Sequence, residues 1–127
     1  MTTPNFSGRW LCTHWYPSKD DSDIKSCSHE VIAEQTGKQL ILQSIKEPAQ
    51  SYLLMRLIID NESVAGSWTE TTTPGGEFDN TTYGGQVVLL LDKAKTTMTG
   101  SWIGVGRDHA KDELDIYSGR WELSRID

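Results

Sequence analysis

The chain repeats one short pattern four times: a small residue, a glycine, any residue and a tryptophan. The copies end at four of the five tryptophans, namely Trp10, Trp68, Trp102 and Trp121. Residues two apart point to the same face of a strand, so each glycine leaves room beside its indole for a large ring or a ligand. The pattern therefore predicts strands whose tryptophans face inward, which constrains the architecture more than the chemistry.

Runs of β-branched and aromatic residues between turn-forming residues predict eight strands and no helix. The strands are expected at Gly8 to Tyr16, His29 to Gln35, Lys38 to Ile45, Tyr52 to Ile59, Val64 to Thr72, Gln86 to Leu91, Thr96 to Val105 and Ile116 to Arg125. The second, fourth and sixth connections are tight, whereas the others are longer and richer in proline, glycine and charge. Alternate connections of a meander lie at the same end, so one end should have tight turns and the other long loops.

An up-and-down meander removes its exposed edges most simply by pairing the first strand with the last. We therefore predict an all-β fold, an eight-stranded antiparallel up-and-down β-barrel, forming one domain over residues 1–127. The alternative is a two-sheet sandwich of the same strands, which is less favoured because the meander needs no crossing loops. An eight-stranded barrel has room for one small ligand.

The charge and the chain start restrict the partners and the compartment. A net charge of −6 disfavours a nucleic-acid surface. No apolar run approaches the ~20 residues that span a bilayer, and the first residues lack the basic and apolar regions of a signal peptide. We expect a cytoplasmic protein that binds neither nucleic acid nor membrane, in which Cys12 and Cys27 are free thiols rather than a disulfide.

The opening Gly-x-Trp, the meander and an arginine near the end of the last strand together resemble the calycin superfamily, which includes lipocalins and avidins. In that superfamily the arginine packs across the tryptophan and closes the bottom of the barrel. The matching residues are Gly8, Trp10 and Arg125, with Arg120 as the second candidate for the arginine. The resemblance implies a barrel that holds a small molecule.

Within the superfamily the chain is more similar to avidins than to lipocalins in its length and in the absence of an evident terminal helix. The run from Thr96 to Gly100, followed by Gly104, also resembles an avidin strand, but Met98 stands where avidins often have a biotin-contacting tryptophan. Cys12 and Tyr16 occupy first-strand positions that carry biotin-binding polar groups in avidins. A biotin site is therefore not supported, and the fold carries over more safely than the ligand.

Strand alternation from the inward tryptophans predicts which side chains line the interior. The expected ligand-binding residues are Cys12, His14, Tyr16, Trp68, Glu70, Thr72, Trp102, Tyr117 and Trp121. Arg56 is added to them as an inward counter-charge, with an outward surface arginine as the alternative. Their polarity rises toward the long loops, as expected of a pocket with an apolar base and a more polar mouth. The alternative is that the tryptophans are only core residues, which need no ligand to be buried.

An inward carboxylate has to be paired, hydrated or protonated, because burying an isolated charge is costly. Glu70 is therefore expected to bind a ligand, to pair with Arg56 or to lie at the hydrated mouth. His14 and Glu70 would suit an acid–base pair, although no sequence spacing enforces their proximity. A metal site formed by His14, His29 and Glu70 or Asp108 is disfavoured because these residues are widely spaced, so we expect no metal and no cofactor.

These features lead to one preferred function and two alternatives. The preferred one is a non-enzymatic barrel that holds one apolar or aromatic molecule at its long-loop end, such as a sensor domain. The second is a small enzyme of the cyclase or isomerase type, with His14, Tyr16 and Glu70 in proton transfer. The third is an interaction module with a filled core. The strand from Tyr52 to Ile59 is apolar on both faces, which is typical of contact with another subunit, so a homo-oligomer is also considered.

Overall fold

The computed structural model describes residues 4–17, 24–45, 51–72, 82–108 and 113–126. Its eight strands are β1 Gly8–Pro17, β2 Ile24–Thr36, β3 Gln39–Ser44, β4 Tyr52–Asp60, β5 Ser63–Thr71, β6 Thr82–Leu91, β7 Thr97–Asp108 and β8 Glu113–Arg125. Each strand pairs antiparallel with the next, and β1 also pairs with β8, which closes the barrel. The predicted eight-stranded up-and-down barrel is confirmed, and the sandwich alternative is wrong.

The strands reach further toward the long-loop end than the sequence predicts. β2 begins at Ile24 rather than His29, and β6 begins at Thr82 rather than Gln86. Both added segments are polar or glycine-rich and lack the alternation that signals a strand. Neighbouring strands nevertheless impose the extended conformation, because Trp15 pairs with Ser26 and Thr71 pairs with Thr82.

Burial alternates along the strands as the inward tryptophans require. On β1, Trp10, Cys12 and His14 are buried, whereas Leu11 on the opposite face is exposed. The same phase buries Trp68 and Glu70 on β5, Met98 and Trp102 on β7, and Trp121 and Leu123 on β8. The core therefore lies inside the barrel, where the inward faces of all eight strands meet.

Two glycines show why an indole needs a residue without a side chain beside it. A Cβ on Gly119 would lie 2.7 Å from Nε1 of Trp102, and one on Gly104 would lie 2.8 Å from Cζ2 of Trp68. Neither indole can give way easily, because Nε1 of Trp102 donates to the Trp15 carbonyl and Nε1 of Trp68 donates to the Gln86 carbonyl. Among the glycines of the repeat, Gly119 thus makes room for a ring as expected, whereas Gly66 and Gly100 make room for the backbone carbonyls of Arg56 and Val88. Gly104 lies outside the repeat, and the ring beside it comes from β5, two strands away.

The tight-turn end is closed by a cluster around Trp10. Its indole is fully buried, and Nε1 donates to the Phe6 carbonyl at 2.9 Å. The Arg125 guanidinium lies 4.3 Å from the Trp10 ring centroid and donates to the carbonyls of Ser7 and Asn5. Arg120 instead lies over Trp15, at 5.9 Å from its ring, so Arg125 is the arginine that packs across Trp10.

The outer face of the barrel carries Arg56 and several apolar side chains. Arg56 is exposed because the alternation of β4 places Leu53, Met55, Leu57 and Ile59 inside. The inward placement of Arg56 as a counter-charge for Glu70 is therefore wrong.

Both cysteines are free thiols. Among the described residues no helix has the length and apolarity to cross a membrane.

Candidate functional site

Two histidines and one glutamate from three strands meet inside the barrel. Nε2 of His14 lies 3.4 Å from Oε1 of Glu70, and Nε2 of His29 lies 3.5 Å from Oε2 of the same carboxylate. The two imidazole rings are stacked, with centroids 6.1 Å apart and planes 5° from parallel. We call these three residues the His-Glu cluster.

Strand phase and barrel closure bring the cluster together. His14 lies two residues after Cys12 on the inward face of β1, and His29 lies opposite Cys12 in the β1–β2 register. Glu70 lies two residues after Trp68 on the inward face of β5. Neighbouring strands thus place the two histidines side by side, and the curvature of the barrel places β5 across from them.

The cluster is almost fully buried. The exposed fractions are 3% for His14, 7% for His29 and 8% for Glu70. Two polar neighbours lie on the His29 side. The Ser51 hydroxyl is 2.6 Å from His29 Nε2, and Cys27 Sγ is 3.7 Å from Glu70 Oε2.

Aromatic side chains pack below and around the His-Glu cluster. Trp121 lies directly against it, with its ring centroid 4.7 Å from that of His14. Trp68 meets Trp121 edge to face at 5.5 Å and meets Trp102 at the same separation. Partly buried tyrosines pack against the same core, namely Tyr16, Tyr83 and Tyr117. The polar side chains of the His-Glu cluster are therefore surrounded by aromatic side chains.

The electrostatics of the cluster favour an ionised carboxylate beside neutral His29. Burial acts to raise the pKa of Glu70, but the hydrogen bond and charge of His14 and the charge of His29 outweigh it, so the pKa lies below its usual value. Burial lowers the pKa of His29 despite the attraction of Glu70. Burial and the nearby Glu70 raise the pKa of Cys27 to about 11, so this side chain is a thiol at neutral pH.

One buried polar atom of the cluster lacks a partner. Nδ1 of His14 is buried and has no hydrogen-bond partner among the described residues. An ionised carboxylate can only accept, so the His14 nitrogen that faces Glu70, Nε2, carries a hydrogen. In the uncharged form of the ring Nδ1 presents a buried lone pair, and leaving such a group unpaired costs about 1–3 kcal/mol.

Most of the predicted ligand-binding residues lie on the inner face as expected. Cys12 and Trp121 lie deepest and contact each other, because the Trp121 Nε1 donates to the Cys12 sulphur. Tyr16, Thr72 and Tyr117 are partly buried and lie nearer the long-loop end, with Thr72 directly after the last residue of β5. Arg56 is the exception described above.

The structure also adds residues that were not among the expected ligand-binding residues. His29 joins the cluster from β2, together with Cys27 and Ser51. The available signal was the alternation on β2: Val31 and Ala33 face inward, so His29 and Cys27 share their face. The wide spacing of His14, His29 and Glu70 in the sequence does not keep them apart, because barrel closure brings one ligand atom of each to within 4.8 Å of the others, and the expectation of no metal stays a prediction. The side chain of Asp108 lies outside the described part of the structure.

No protein-family model matches this chain, and comparison with curated proteins gives no match. The geometry of the His-Glu cluster and its aromatic surroundings is therefore the basis for a proposed function.

Proposed function

We propose that the barrel binds one small aromatic molecule at the His-Glu cluster, from its long-loop end. The observation that carries this proposal is the buried, unpartnered Nδ1 of His14 beside an aromatic wall. Buried polar atoms of proteins are nearly always hydrogen-bonded, and the exceptions often mark sites of function. An aromatic wall with a few fixed polar groups is the usual lining of a small-molecule site.

The chemistry of the cluster defines the ligand class. The lone pair on His14 Nδ1 needs a hydrogen-bond donor, and the Glu70 carboxylate accepts a second one. The indoles of Trp68, Trp102 and Trp121 favour a flat apolar ring. The proposed ligand is therefore an aromatic molecule that carries a hydroxyl or N–H group and no negative charge, since Glu70 would repel an anion.

The tight-turn end supports the calycin-like part of this proposal. Arg125 packs across Trp10, which is the contact that the superfamily resemblance implies for the bottom of the barrel. This contact, together with the meander, supports the proposal that the protein is a calycin-like ligand-binding barrel. The polar groups of the cluster differ from those of a biotin site, so the likeness extends to the fold and not to the ligand.

A pair of probes that differ only in the donor tests the proposal. Melting temperatures are measured with 2-naphthol and with 2-methoxynaphthalene, whose oxygen carries a methyl group in place of the hydrogen. We expect 2-naphthol to raise the melting temperature, because a ligand at 100 times its Kd stabilises the folded state by about 2.7 kcal/mol. We expect a clearly smaller shift with the methyl ether.

Variants place the effect at the cluster. His14→Phe keeps an aromatic ring but removes Nδ1, so it should abolish the preference for 2-naphthol over its ether. Glu34→Gln, a neutralised carboxylate on the exposed face of β2, is the control and should retain the preference. The proposal is rejected if neither probe, nor any phenol or indole in a wider set, raises the melting temperature of the unmodified protein.

The contact between His14 and Glu70 favours one second candidate, a small enzyme that moves protons. The carboxylate holds the imidazole at Nε2, which leaves Nδ1 free to take a proton from a bound substrate. Tyr16 lies beside the same imidazole, with ring centroids 5.6 Å apart. Turnover of a bound phenol or enol that disappears in His14→Phe would establish this function, whereas binding without turnover would reject it.

A further inference from the structure

The separations within the His-Glu cluster differ from those of ordinary ion pairs. Charge-assisted N–H···O contacts usually measure about 2.7–2.9 Å. The two His–Glu contacts measure 3.4 Å and 3.5 Å, and one ligand atom from each of the three residues lies within 4.8 Å of the others. The carboxylate thus faces two imidazole nitrogens without closing tightly on either.

The same separations match those between the ligands of one metal ion. Bonds of about 2.0–2.1 Å at tetrahedral angles place two ligand atoms about 3.3–3.4 Å apart. Each histidine Nε2 therefore lies at this spacing, to within about 0.2 Å, from one of the two Glu70 oxygens, His14 from Oε1 and His29 from Oε2. Two imidazoles and one carboxylate are also the donor set of three-ligand zinc and iron sites, which keep a coordination position for water or substrate.

We propose that His14, His29 and Glu70 together bind one divalent transition-metal ion inside the barrel. The ion takes the Nε2 lone pair of each histidine and the Glu70 carboxylate. Mg²⁺ and Ca²⁺ are poor candidates, because they prefer oxygen ligands and only one of the three side chains supplies oxygen. The ion would add positive charge to the cluster. It would bind Nε2 of His14, whereas the proposed organic ligand would bind Nδ1.

Ser51 and the proposed ion compete for the same nitrogen of His29. Its hydroxyl lies 2.6 Å from His29 Nε2, the nitrogen that the ion needs. Metal binding therefore displaces the Ser51 hydrogen bond. Removing that bond in Ser51→Ala should strengthen metal binding or leave it unchanged, whereas a site in which Ser51 is itself a ligand would lose affinity.

The test uses the full chain without an affinity tag, after removal of metals with EDTA. We expect calorimetric titration with Zn²⁺ to saturate at one ion per chain and titration with Mg²⁺ to give no binding. Co²⁺ should give visible absorption bands that an excess of Zn²⁺ removes. Absence of saturable Zn²⁺ binding in the unmodified protein would overturn the proposal.

Variants of the proposed ligands assign the ion to the cluster. Glu70→Gln and His29→Gln should each weaken Zn²⁺ binding by at least about 100-fold, since even outer-shell substitutions cost about 10–100-fold. The control Glu34→Gln should bind as the unmodified protein does. Far-UV circular dichroism confirms that each variant is folded, and Zn²⁺ affinity unchanged in both ligand variants contradicts the site.

The outcome is separable from that of the proposed small-molecule function. Binding of 2-naphthol is measured in EDTA, where the cluster holds no ion. A failure of Zn²⁺ binding then leaves the 2-naphthol result unaffected, and a failure of 2-naphthol leaves the Zn²⁺ titration unaffected.

Discussion

The two ends of strand β1 differ in whether their buried polar atoms are hydrogen-bonded. At the tight-turn end, Nε1 of Trp10 donates to the Phe6 carbonyl and Arg125 donates to the carbonyls of Ser7 and Asn5. Four residues after Trp10, His14 is buried to a similar extent, but its Nδ1 has no hydrogen-bond partner in the described part of the chain.

This difference indicates separate roles for the two ends. A fully paired and apolar cluster stabilises the closed barrel and leaves nothing for another molecule to bind. A cluster with an unpaired atom and loosely spaced charges gives up stability, which is typical of sites kept for function. We therefore expect substitutions at the tight-turn end to act on folding and substitutions at the His-Glu cluster to act on binding.

The largest effect is expected at Trp10. Trp10→Ala removes a fully buried indole and the ring under Arg125, so the free energy of unfolding should fall by about 3–5 kcal/mol. Urea denaturation measures it. Trp15→Ala, on the outer face of the same strand, is the matched control and should cost clearly less. Similar losses in both variants would show that the Trp10 cluster has no special role in stability.

A much smaller change in stability is expected at Glu70. Glu70→Gln keeps the shape of the side chain and an acceptor for His14. It removes both the desolvation cost of a buried charge and the attractions that hold the pKa of Glu70 below its usual value, and these two effects oppose each other. The free energy of unfolding should therefore change by less than about 1 kcal/mol, again from urea denaturation. A loss as large as that of Trp10→Ala would mean that the His-Glu cluster is a structural element, and the contrast between the ends would disappear.

The smallest effect is expected at Asp92, in the turn between β6 and β7. Backbone N–H groups of Thr97 and Thr96 donate to its carboxylate and hold its pKa below the usual value. The ionised form thus contributes stability above the unfolded-state pKa of about 3.9, and this contribution is lost as the pH falls through the lower folded-state pKa. The difference in stability between the unmodified protein and Asp92→Asn should therefore be present at neutral pH and shrink in acid.

Urea denaturation at several pH values measures this difference. Glu62→Gln, an exposed carboxylate in the turn between β4 and β5, serves as the control for a general change in charge. A difference for Asp92→Asn that stays constant from neutral pH down to about pH 2 would contradict the role assigned to the carboxylate.

The sequence alone predicts the barrel and the inward orientation of two residues of the site, His14 and Glu70. The Gly-x-Trp repeats and the alternating tight and long connections predict the meander, and the phase from Trp10 places His14 correctly. Glu70 follows in the same way from Trp68. These predictions succeed because alternation along a strand is a local property.

The contacts across the barrel could not be predicted in this way. Which strands face each other depends on closure and register, so the meeting of Glu70 with His14 and His29 has no local signal. The polar start of β2 also concealed Cys27, since its segment lacks the apolar alternation of a strand. His29 lay within the predicted second strand, but its side chain was not assigned to the inner face. Arg56 was misplaced because β4 is apolar on both faces, which leaves its phase undetermined.

The indole N–H resonances of the tryptophans test the central claim most directly, because one NMR spectrum reports on both ends of the barrel. Single Trp→Phe variants assign the signals, and 2-naphthol is then added to saturation. We predict that the resonances of Trp68, Trp102 and Trp121 move while that of Trp10 stays in place. Movement of Trp10 without the other three, or no movement at any tryptophan, would contradict a binding site at the His-Glu cluster.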